Sequence, residues 1–510
     1  MANGIYYVDE CFENNDDAKI ATAIWNAHTN PNAPGGGGKV VLSNRTYTIT
    51  QSIVLYSNII FTGAGPSSVI HCTADVPIIQ IDRSSSSYIQ ISDMLLRYST
   101  DMNTTMHFHV EADRPLNLKI TGVTFVGEGR SFSGVLTWDA VSGSKEQPIL
   151  INPNHSDEAF MTHIENCLFS GASIWLNDSD SRIINNYIWA NEASNNNLDY
   201  AIRLSNGSVN ISGNDIVAGN DAGIYLAETC AGIRIENNYF DGSWDGQEEN
   251  NEEKVAGCVY TGWGIKVLGA HRVLILGNEF ARSWLGGITV DSASQVTISN
   301  NMFIDLNRND GLGPNYDIRM VANGPLSTGH IIEGNQHVRS LENAQSYAVS
   351  IEGNVLASIV NNSLLDWREN GAEAYFKPPF VMTTNKYAIR KDNRVTSRLH
   401  PSANETLDFY PYQFDEGNVT VQNSYVPQNV QIVFSADFSA QGILPKIQDI
   451  NVNFVGFSST SAVVFSIYDI TVSGFKIAYR PVCLKQLVNN EPVCYNSTTD
   501  GIFFWRVSLQ

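Results

Sequence analysis

Charged side chains are scarce in this chain of 510 residues, because Asp, Glu, Lys and Arg together make up only 16% of it. Long solvent-exposed helices need many such residues, so their scarcity argues against a helical protein. Hydrophobic residues reach 43% and glycines number 39, which favours β-structure with many turns. The chain is too long for one ordinary globular domain, whereas a solenoid grows along one axis without that limit.

Positive charge is also in short supply, and the formal net charge is −21. No basic stripe is visible, so a nucleic-acid partner is not expected. The first residues, MANGIYYVDECFENNDDAKI, lack a basic stretch followed by an apolar run, and no segment reaches membrane-spanning length. We therefore expect synthesis in a cytoplasm, no export by an N-terminal signal, and no membrane insertion.

Cysteine and histidine patterns exclude two further classes of site. The seven cysteines are an odd number spread widely, which does not suit a disulfide framework, although Cys483 and Cys494 could pair. The ten histidines show no HxxxH or similar spacing, so we expect no required transition metal. The sequence indicates no cofactor.

A short helix precedes a repeated motif. The helix is predicted at DDAKIATAIWNAH, from Asp16 to His28. The phrase apolar-x-Asn/Gly-Asn-x-apolar then recurs as INNYI, ISGNDI, IENNYF, ILGNEF, ISNNMF, IEGNQH and IVNNSL, after the variant IENCLF. The fourth position of the motif falls at Cys167, Asn186, Asn214, Asn238, Asn278, Asn301, Asn335 and Asn362. Its uneven spacing indicates constant rungs joined by loops of variable length.

A second motif follows each first one and places two apolar residues on one side of a strand. These pairs are Ile174 and Leu176, Ile202 and Leu204, Ile224 and Leu226, Ile265 and Val267, Ile288 and Val290, Ile318 and Met320, and Val349 and Ile351. Each turn of the chain thus supplies at least two short strands, which stack on the previous turn roughly 4.8 Å away. The prediction is an all-β protein built on a right-handed parallel β-helix, with asparagine ladders at its bends.

The rhythm divides the chain into four segments. We expect an N-terminal cap with the helix at 1–50, the β-helix at 51–375 and a connector at 376–425. Residues 426–510 contain long alternating strands such as NVQIVFSADF and DGIFFWRVSL, which predict a C-terminal antiparallel β-sandwich. This sandwich would close the end of the solenoid and serve in trimerisation or carbohydrate binding.

The order of these motifs resembles that of phage tailspikes and capsule depolymerases of the pectate-lyase-like right-handed β-helix superfamily. The helix DDAKIATAIWNA, then GGGGKVVLSNRTYTI, then SNIIFTGAG is similar to the entry sequence of those enzymes, and the Asn-rich coils extend the resemblance over most of the chain. The resemblance implies a homotrimer on the phage virion tail, joined to another tail protein. It also implies binding to a bacterial surface polysaccharide, either capsular or O-antigen.

Aromatic and cationic residues recur at the outward position between the two apolar residues of the second motif. That position reads Trp175, Arg203, Tyr225, Lys266, Thr289, Arg319 and Ser350. Rings stack on sugar faces and cations pair with carboxylates of acidic sugars. Tryptophans beside these strands would line a groove. The predicted substrate-binding residues are Arg203, Tyr225, Trp244, Trp263, Lys266, Trp284 and Arg319.

Aspartates in the middle coils are the candidate catalytic residues, because glycosidic hydrolysis usually needs two carboxyl groups. The candidates are Asp199, Asp221, Asp241, Asp245, Asp291 and Asp305. Asp199 and Asp221 share one column in neighbouring coils. Carboxyl groups one rung apart suit a retaining mechanism, and groups two rungs apart suit an inverting one.

The leading prediction is a depolymerase that cleaves the polysaccharide as an endo-acting glycosidase with paired aspartates, and two alternatives remain open. In a polysaccharide lyase, Lys266 or Tyr225 would abstract the proton next to a uronate carboxylate that Arg203 or Arg319 neutralises. A receptor-binding spike without catalysis would use the same groove and release no oligosaccharides.

Overall fold

The structure is a computed structural model. It describes residues 4–31, 36–82, 87–99, 107–127, 133–138, 161–190, 198–217, 221–241, 262–281, 286–306, 316–340, 347–366, 380–383, 389–391, 393–397, 413–421, 428–433, 450–456, 461–471, 474–483, 486–488, 491–493 and 501–509. The chain forms two compact units, Met1–Leu407 and Asp408–Gln510.

The first unit is a parallel β-helix in which each complete coil contributes three strands. We call the stacked first strands sheet A. Its strands are Ile53–Leu55, Ile79–Ile81, Val110–Asp113, Gly134–Trp138, Ser173–Leu176, Tyr200–Leu204, Ala222–Leu226, Trp263–Leu268, Gly286–Asp291, the beginnings of Tyr316–Glu333 and Tyr347–Val360, and Phe380–Thr383.

The second strands form sheet B. Two long strands, Tyr316–Glu333 and Tyr347–Val360, run through both sheets, so sheets A and B are joined in one 24-stranded sheet. Sheet B comprises Ile5–Tyr7, Gly38–Val41, Ile59–Thr62, Ser87–Ser92, Leu116–Thr121, Thr162–Glu165, Ser181–Ile184, Val209–Ser212, Arg234–Glu236, His271–Leu276, Ser294–Ser299, the ends of Tyr316–Glu333 and Tyr347–Val360, and Ile389–Lys391.

The third strands form sheet C, a separate sheet of 13 strands. They are Thr46–Ile49, Val69–Cys72, Leu95–Tyr98, Thr124–Val126, Leu168–Ser170, Tyr187–Trp189, Asp215–Val217, Tyr239–Asp241, Glu279–Ala281, Met302–Ile304, Gln336–Arg339, Ser363–Asp366 and Arg394–Ser397. From Leu168 onward the chain segments whose length varies between coils are those that connect a sheet C strand with the next sheet A strand.

The core lies inside the coils, where apolar side chains stack in register. All seven predicted inward pairs of sheet A are at most 1% exposed, which confirms them. Phe240, Phe280 and Phe303 stack face to face with ring centroids 4.5 and 4.9 Å apart, and His337 continues the stack. Apolar burial of this kind is the main favourable contribution to folding.

The predicted asparagine ladder is confirmed and extends one coil further, to Asn393. Each ladder N–H, from Cys167 to Asn362, donates to the side-chain oxygen of the next asparagine at 2.9–3.0 Å. The residue before each ladder asparagine in the motif has a positive φ, such as 54° at Asn185 and 64° at Gly277. Asn and Gly tolerate that backbone conformation, so they alternate there.

The predicted helix spans Asp16–His28, and Asn15 caps it by accepting a hydrogen bond from the Ala18 N–H at 2.8 Å. A 3-10 turn at Val8–Glu10 precedes it. No helix among the described residues is long and apolar enough to cross a membrane.

The coils begin earlier and end later than the expected limits of 51 and 375. Strand Ile5–Tyr7 already pairs in parallel with Gly38–Val41, so the first coil includes part of the expected cap. Strands Phe380–Thr383, Ile389–Lys391 and Arg394–Ser397 pair in parallel with the preceding coil, so the expected connector begins with one more coil. Prolines and mixed charge hid this coil in the sequence.

The second unit contains antiparallel sheets. One has strands Gln413–Val421, Gly501–Leu509 and Ile450–Gly456, and another has Gln428–Val433, Gly474–Cys483 and Ser461–Thr471. Strands Gln486–Val488 and Glu491–Val493 form a hairpin. The strand types match the expectation, and the packing of the two larger sheets into a sandwich stays a prediction. Cys494 lies outside the described residues.

Candidate functional site

The outward side of sheet A carries the column that the sequence predicted. Trp175 is in register with Arg203 in the next coil. The column continues, one rung at a time, through Tyr225, Lys266, Thr289, Arg319 and Ser350. These residues lie between inward apolar residues because side chains alternate along a strand. The column is therefore continuous over seven coils.

Asp199 and Asp221 lie side by side at the beginning of two sheet A strands. The N–H of Asp221 donates to the Asp199 carbonyl at 2.9 Å, and the Trp263 N–H donates to the Asp221 carbonyl at 2.8 Å. The two aspartates thus occupy one column in successive rungs, as predicted. Partial burial and the charge of Asp221 raise the pKa of the Asp199 carboxyl group.

Among the described residues, Asp221 forms an ion pair with Lys266, whereas Asp199 forms none. The Nζ atom of Lys266 donates to both Asp221 carboxylate oxygens at 2.8 and 2.9 Å, and both side chains are about one-third exposed. The Tyr200 hydroxyl also bonds to Asp221, and burial together with that carboxylate raises the pKa of Tyr200. Two neighbouring carboxyl groups therefore have contrasting environments.

Aromatic rings surround this aspartate pair. The Tyr200 and Tyr225 ring centroids are 4.6 Å apart. The guanidinium carbon of Arg203 is 4.9 Å from the Trp175 ring centroid and 6.0 Å from that of Tyr225. Tyr200 and Tyr225 are partly exposed and offer flat apolar surface, whereas Trp175 is buried and supports Arg203 from below. The guanidinium group of Arg203 adds hydrogen-bond donors. Tyr200 was missed because it lies at the strand end, outside the alternating pattern.

A second group, which we call the lower cluster, comprises Tyr316, Arg319, Tyr347 and Glu352. Arg319 donates through Nε and Nη2 to the two Glu352 carboxylate oxygens, both at 2.9 Å. The tyrosine rings stack with centroids 5.4 Å apart. Of the four, only Arg319 was predicted. Glu352 could have been found by reading the next outward position after Ser350.

Asp291 and Trp263 also lie on sheet A. Asp291 is in register with Leu268 and Val321, and its carboxylate accepts a hydrogen bond from the Ser292 hydroxyl at 2.7 Å. Trp263 extends over the next coil, since a β-carbon added to Gly286 would come within 2.6 Å of its ring. Glycine at 286 therefore makes room for this ring.

Two predicted catalytic aspartates lie elsewhere. Asp241 ends a strand of sheet C, where its charge acts on Asp215 and Tyr187, so it does not join the sheet A column. Asp305 is only 4% exposed and accepts hydrogen bonds from the Ser340 N–H and hydroxyl, both at 2.5 Å. Both of its carboxylate oxygens therefore bond within the protein, and a catalytic role for Asp305 stays a prediction.

Three predicted residues, Asp245, Trp244 and Trp284, lie outside the described residues. Within the described ranges, no group of three or more His, Cys, Asp or Glu side chains is arranged to hold a metal ion.

Comparison with known proteins establishes the type of solenoid. Residues 174–364, which include the sheet A site, match the family model described as the right handed beta helix region. No curated protein matches the sequence.

Two solved structures with this fold align with the chain. The Dettilon tailspike protein is 14% identical, with 99% of this chain and 95% of that chain covered and a TM-score of 0.55. The catalytic unit of a thermostable GH87 α-1,3-glucanase from Streptomyces thermodiastaticus is also 14% identical, with 76% of this chain and 69% of that chain covered and a TM-score of 0.50. At such low identity these likenesses concern the fold alone, which is that of a right-handed parallel β-helix.

Proposed function

We propose that this right-handed β-helix protein is a tailspike-type depolymerase that binds a bacterial surface polysaccharide and hydrolyses it within the chain. One observation carries the proposal: Asp199 and Asp221 are adjacent on an outward face, and Lys266 forms an ion pair with Asp221 but, among the described residues, not with Asp199. Pairs of carboxyl groups whose environments separate their acidities perform acid and nucleophile roles in glycosidases.

In the proposed mechanism each aspartate has its own role. Asp199, whose pKa is raised, donates its proton to the glycosidic oxygen as the bond from that oxygen to the anomeric carbon breaks. Asp221, oriented by Lys266 and Tyr200, attacks the anomeric carbon and forms a glycosyl ester. Asp199 then takes a proton from water, which attacks the ester and releases Asp221. A rung of about 4.8 Å fits the roughly 5 Å separation of carboxyl groups in retaining enzymes.

The lyase alternative receives less support from the contacts. Lys266, one of its two candidate bases, already donates to both Asp221 oxygens. Arg319, one of its two candidates for neutralising a uronate, is bonded through two nitrogens to Glu352. Elimination by Lys266 and Arg319 would require both ion pairs to separate first, which leaves Tyr225 and Arg203 as the pair that a lyase would use.

The decisive experiment replaces each aspartate by asparagine. We expect Asp199→Asn and Asp221→Asn to reduce the release of new reducing ends from the susceptible polysaccharide by about a hundredfold or more, because the amide cannot transfer the proton or form the ester. Asp215→Asn is the matched control, since Asp215 is a half-buried sheet C carboxyl group whose pKa is also raised. All three variants should melt at the same temperature as the wild-type protein, within the error of the measurement.

The outcomes separate the three functions. Products that absorb ultraviolet light through a new double bond would establish a lyase. Retarded migration in polysaccharide gels without any shortening of the polymer would establish a receptor-binding spike. Full activity in both aspartate variants would move the catalytic site away from this pair.

The assembly expected from the family resemblance belongs to the same proposal. A homotrimer on the phage tail, attached through another tail protein, would present several sheet A faces to the bacterial surface. The fold likeness to a tailspike over 99% of this chain supports the place on the phage tail, whereas the trimer and the tail partner rest on the sequence resemblance. Light scattering that gives the mass of a single chain at micromolar concentration would contradict the trimer.

A further inference from the structure

The lower cluster lies on the same outward face as the aspartate pair, but further along the helix. Strand register leads from the coil of Tyr225 through Lys266 and Thr289 to Arg319, which is three rungs. At about 4.8 Å per rung, the separation is about 14 Å. Several linked sugar rings fit into that span, so the lower cluster cannot contact the sugar that is cleaved.

Glu352 is held by its neighbours in a way that does not suit catalysis. It accepts hydrogen bonds from Arg319 and from the Ser350 hydroxyl, at 3.3 Å, and the Tyr316 hydroxyl also bonds to it. The bond from Arg319 lowers the pKa of Glu352. A carboxylate fixed in this way is a poor proton donor, but it is a rigid acceptor for hydroxyl groups.

The rings beside this ion pair supply a flat surface. Tyr316 and Tyr347 stack at an interplanar angle of 26°, and the Arg319 guanidinium carbon is 5.6 Å from the Tyr316 ring centroid. Both tyrosines are partly exposed. Aromatic surface beside paired donors and acceptors matches a sugar ring, which has an apolar face and hydroxyl groups at its edge.

Resting on the proposed function, we propose that the lower cluster is a second binding subsite of the same polysaccharide and takes a neutral sugar unit. The charge of Arg319 is cancelled by Glu352, so an acidic sugar would gain little attraction and would meet the Glu352 carboxylate. A neutral sugar can bond to both groups without separating them. The polymer then runs along the helix axis from the aspartate pair to Tyr347.

The subsite predicts a dependence on chain length that can be measured. Tyr347→Ala should raise KM for the polymer about tenfold and leave kcat within about twofold, because it removes ring contact far from the reacting bond. Cleavage of oligosaccharides too short to reach the lower cluster should not change. Tyr347→Phe should restore the polymer KM. Tyr88→Ala is the control, since Tyr88 is 66% exposed on sheet B.

The preference for a neutral sugar is tested at Glu352. Glu352→Gln leaves the charge of Arg319 uncompensated. In gels cast with uronate-containing polysaccharides, the Glu352→Gln protein should therefore be retarded more than the wild-type protein. Unchanged migration in every acidic polymer would overturn the assignment of a neutral ligand.

Binding in the Asp199→Asn background separates this proposal from the first one. We would use gels cast with each member of a panel of purified capsular polysaccharides and O-antigens. Retardation that is lost with Tyr347→Ala supports the subsite even if Asp199 proves not to be catalytic. Retardation that Tyr347→Ala leaves unchanged overturns the subsite while the aspartate pair stands. If no polymer retards the Asp199→Asn protein, both proposals are wrong.

Discussion

The asparagine ladder gives a quantitative prediction for Asn301→Ala. The Asn301 side chain is 1% exposed and makes four hydrogen bonds: it donates to the Ile275 carbonyl and the Asn335 side chain, and accepts from the Asn278 backbone and side chain. Alanine removes all four. At about 1 kcal/mol for each bond, the free energy of unfolding should fall by about 4 kcal/mol.

Thermal unfolding followed by circular dichroism is the appropriate assay. An unfolding entropy of about 2.1 cal/mol/K per residue converts that loss into a Tm decrease of about 5 °C for the unit Met1–Leu407. The matched control is the adjacent Asn300→Gly, because Asn300 has a φ of 53° that glycine adopts without strain. A Tm change of less than about 1 °C for Asn301→Ala, or an equal loss in both variants, would refute the reasoning.

Three further predictions concern proton transfer, buried charge and packing. If Asp199 is the general acid, kcat/KM should fall as pH rises through its raised pKa, and that alkaline limb should disappear in Asp199→Asn. Burial raises the pKa of Asp178 to about 6, so the folded state binds this proton more tightly than the unfolded state. Wild-type stability should therefore fall by about 2 kcal/mol between pH 4 and pH 6 through this group, and urea denaturation should show a flatter pH profile for Asp178→Asn. Gly264→Ala should reduce the free energy of unfolding by about 1 to 3 kcal/mol and lower Tm accordingly, because its β-carbon would lie 2.6 Å from the Phe280 ring. Gly324→Ala should leave Tm unchanged, because a β-carbon there has no neighbour within 4 Å.

The sequence alone was sufficient to predict the solenoid and the order of its sheet A column. Alternation along a strand is a local property, and a motif that returns once per coil sets the register between coils. Asn214 and Asn238, for example, could be placed in one ladder without any tertiary information. Arg203, Tyr225 and Lys266 followed from the same reasoning.

Tertiary structure decided which side chains meet at strand ends and corners, where alternation no longer applies. It placed Asp241 on sheet C, buried Asp305 against Ser340, and brought Tyr200 and Glu352 into contact with the predicted residues. The position of each of these side chains depends on the sheet to which its strand belongs and on the direction in which the backbone turns at the end of that strand. Those choices are made by packing between coils, so no spacing within the sequence of one coil could specify them.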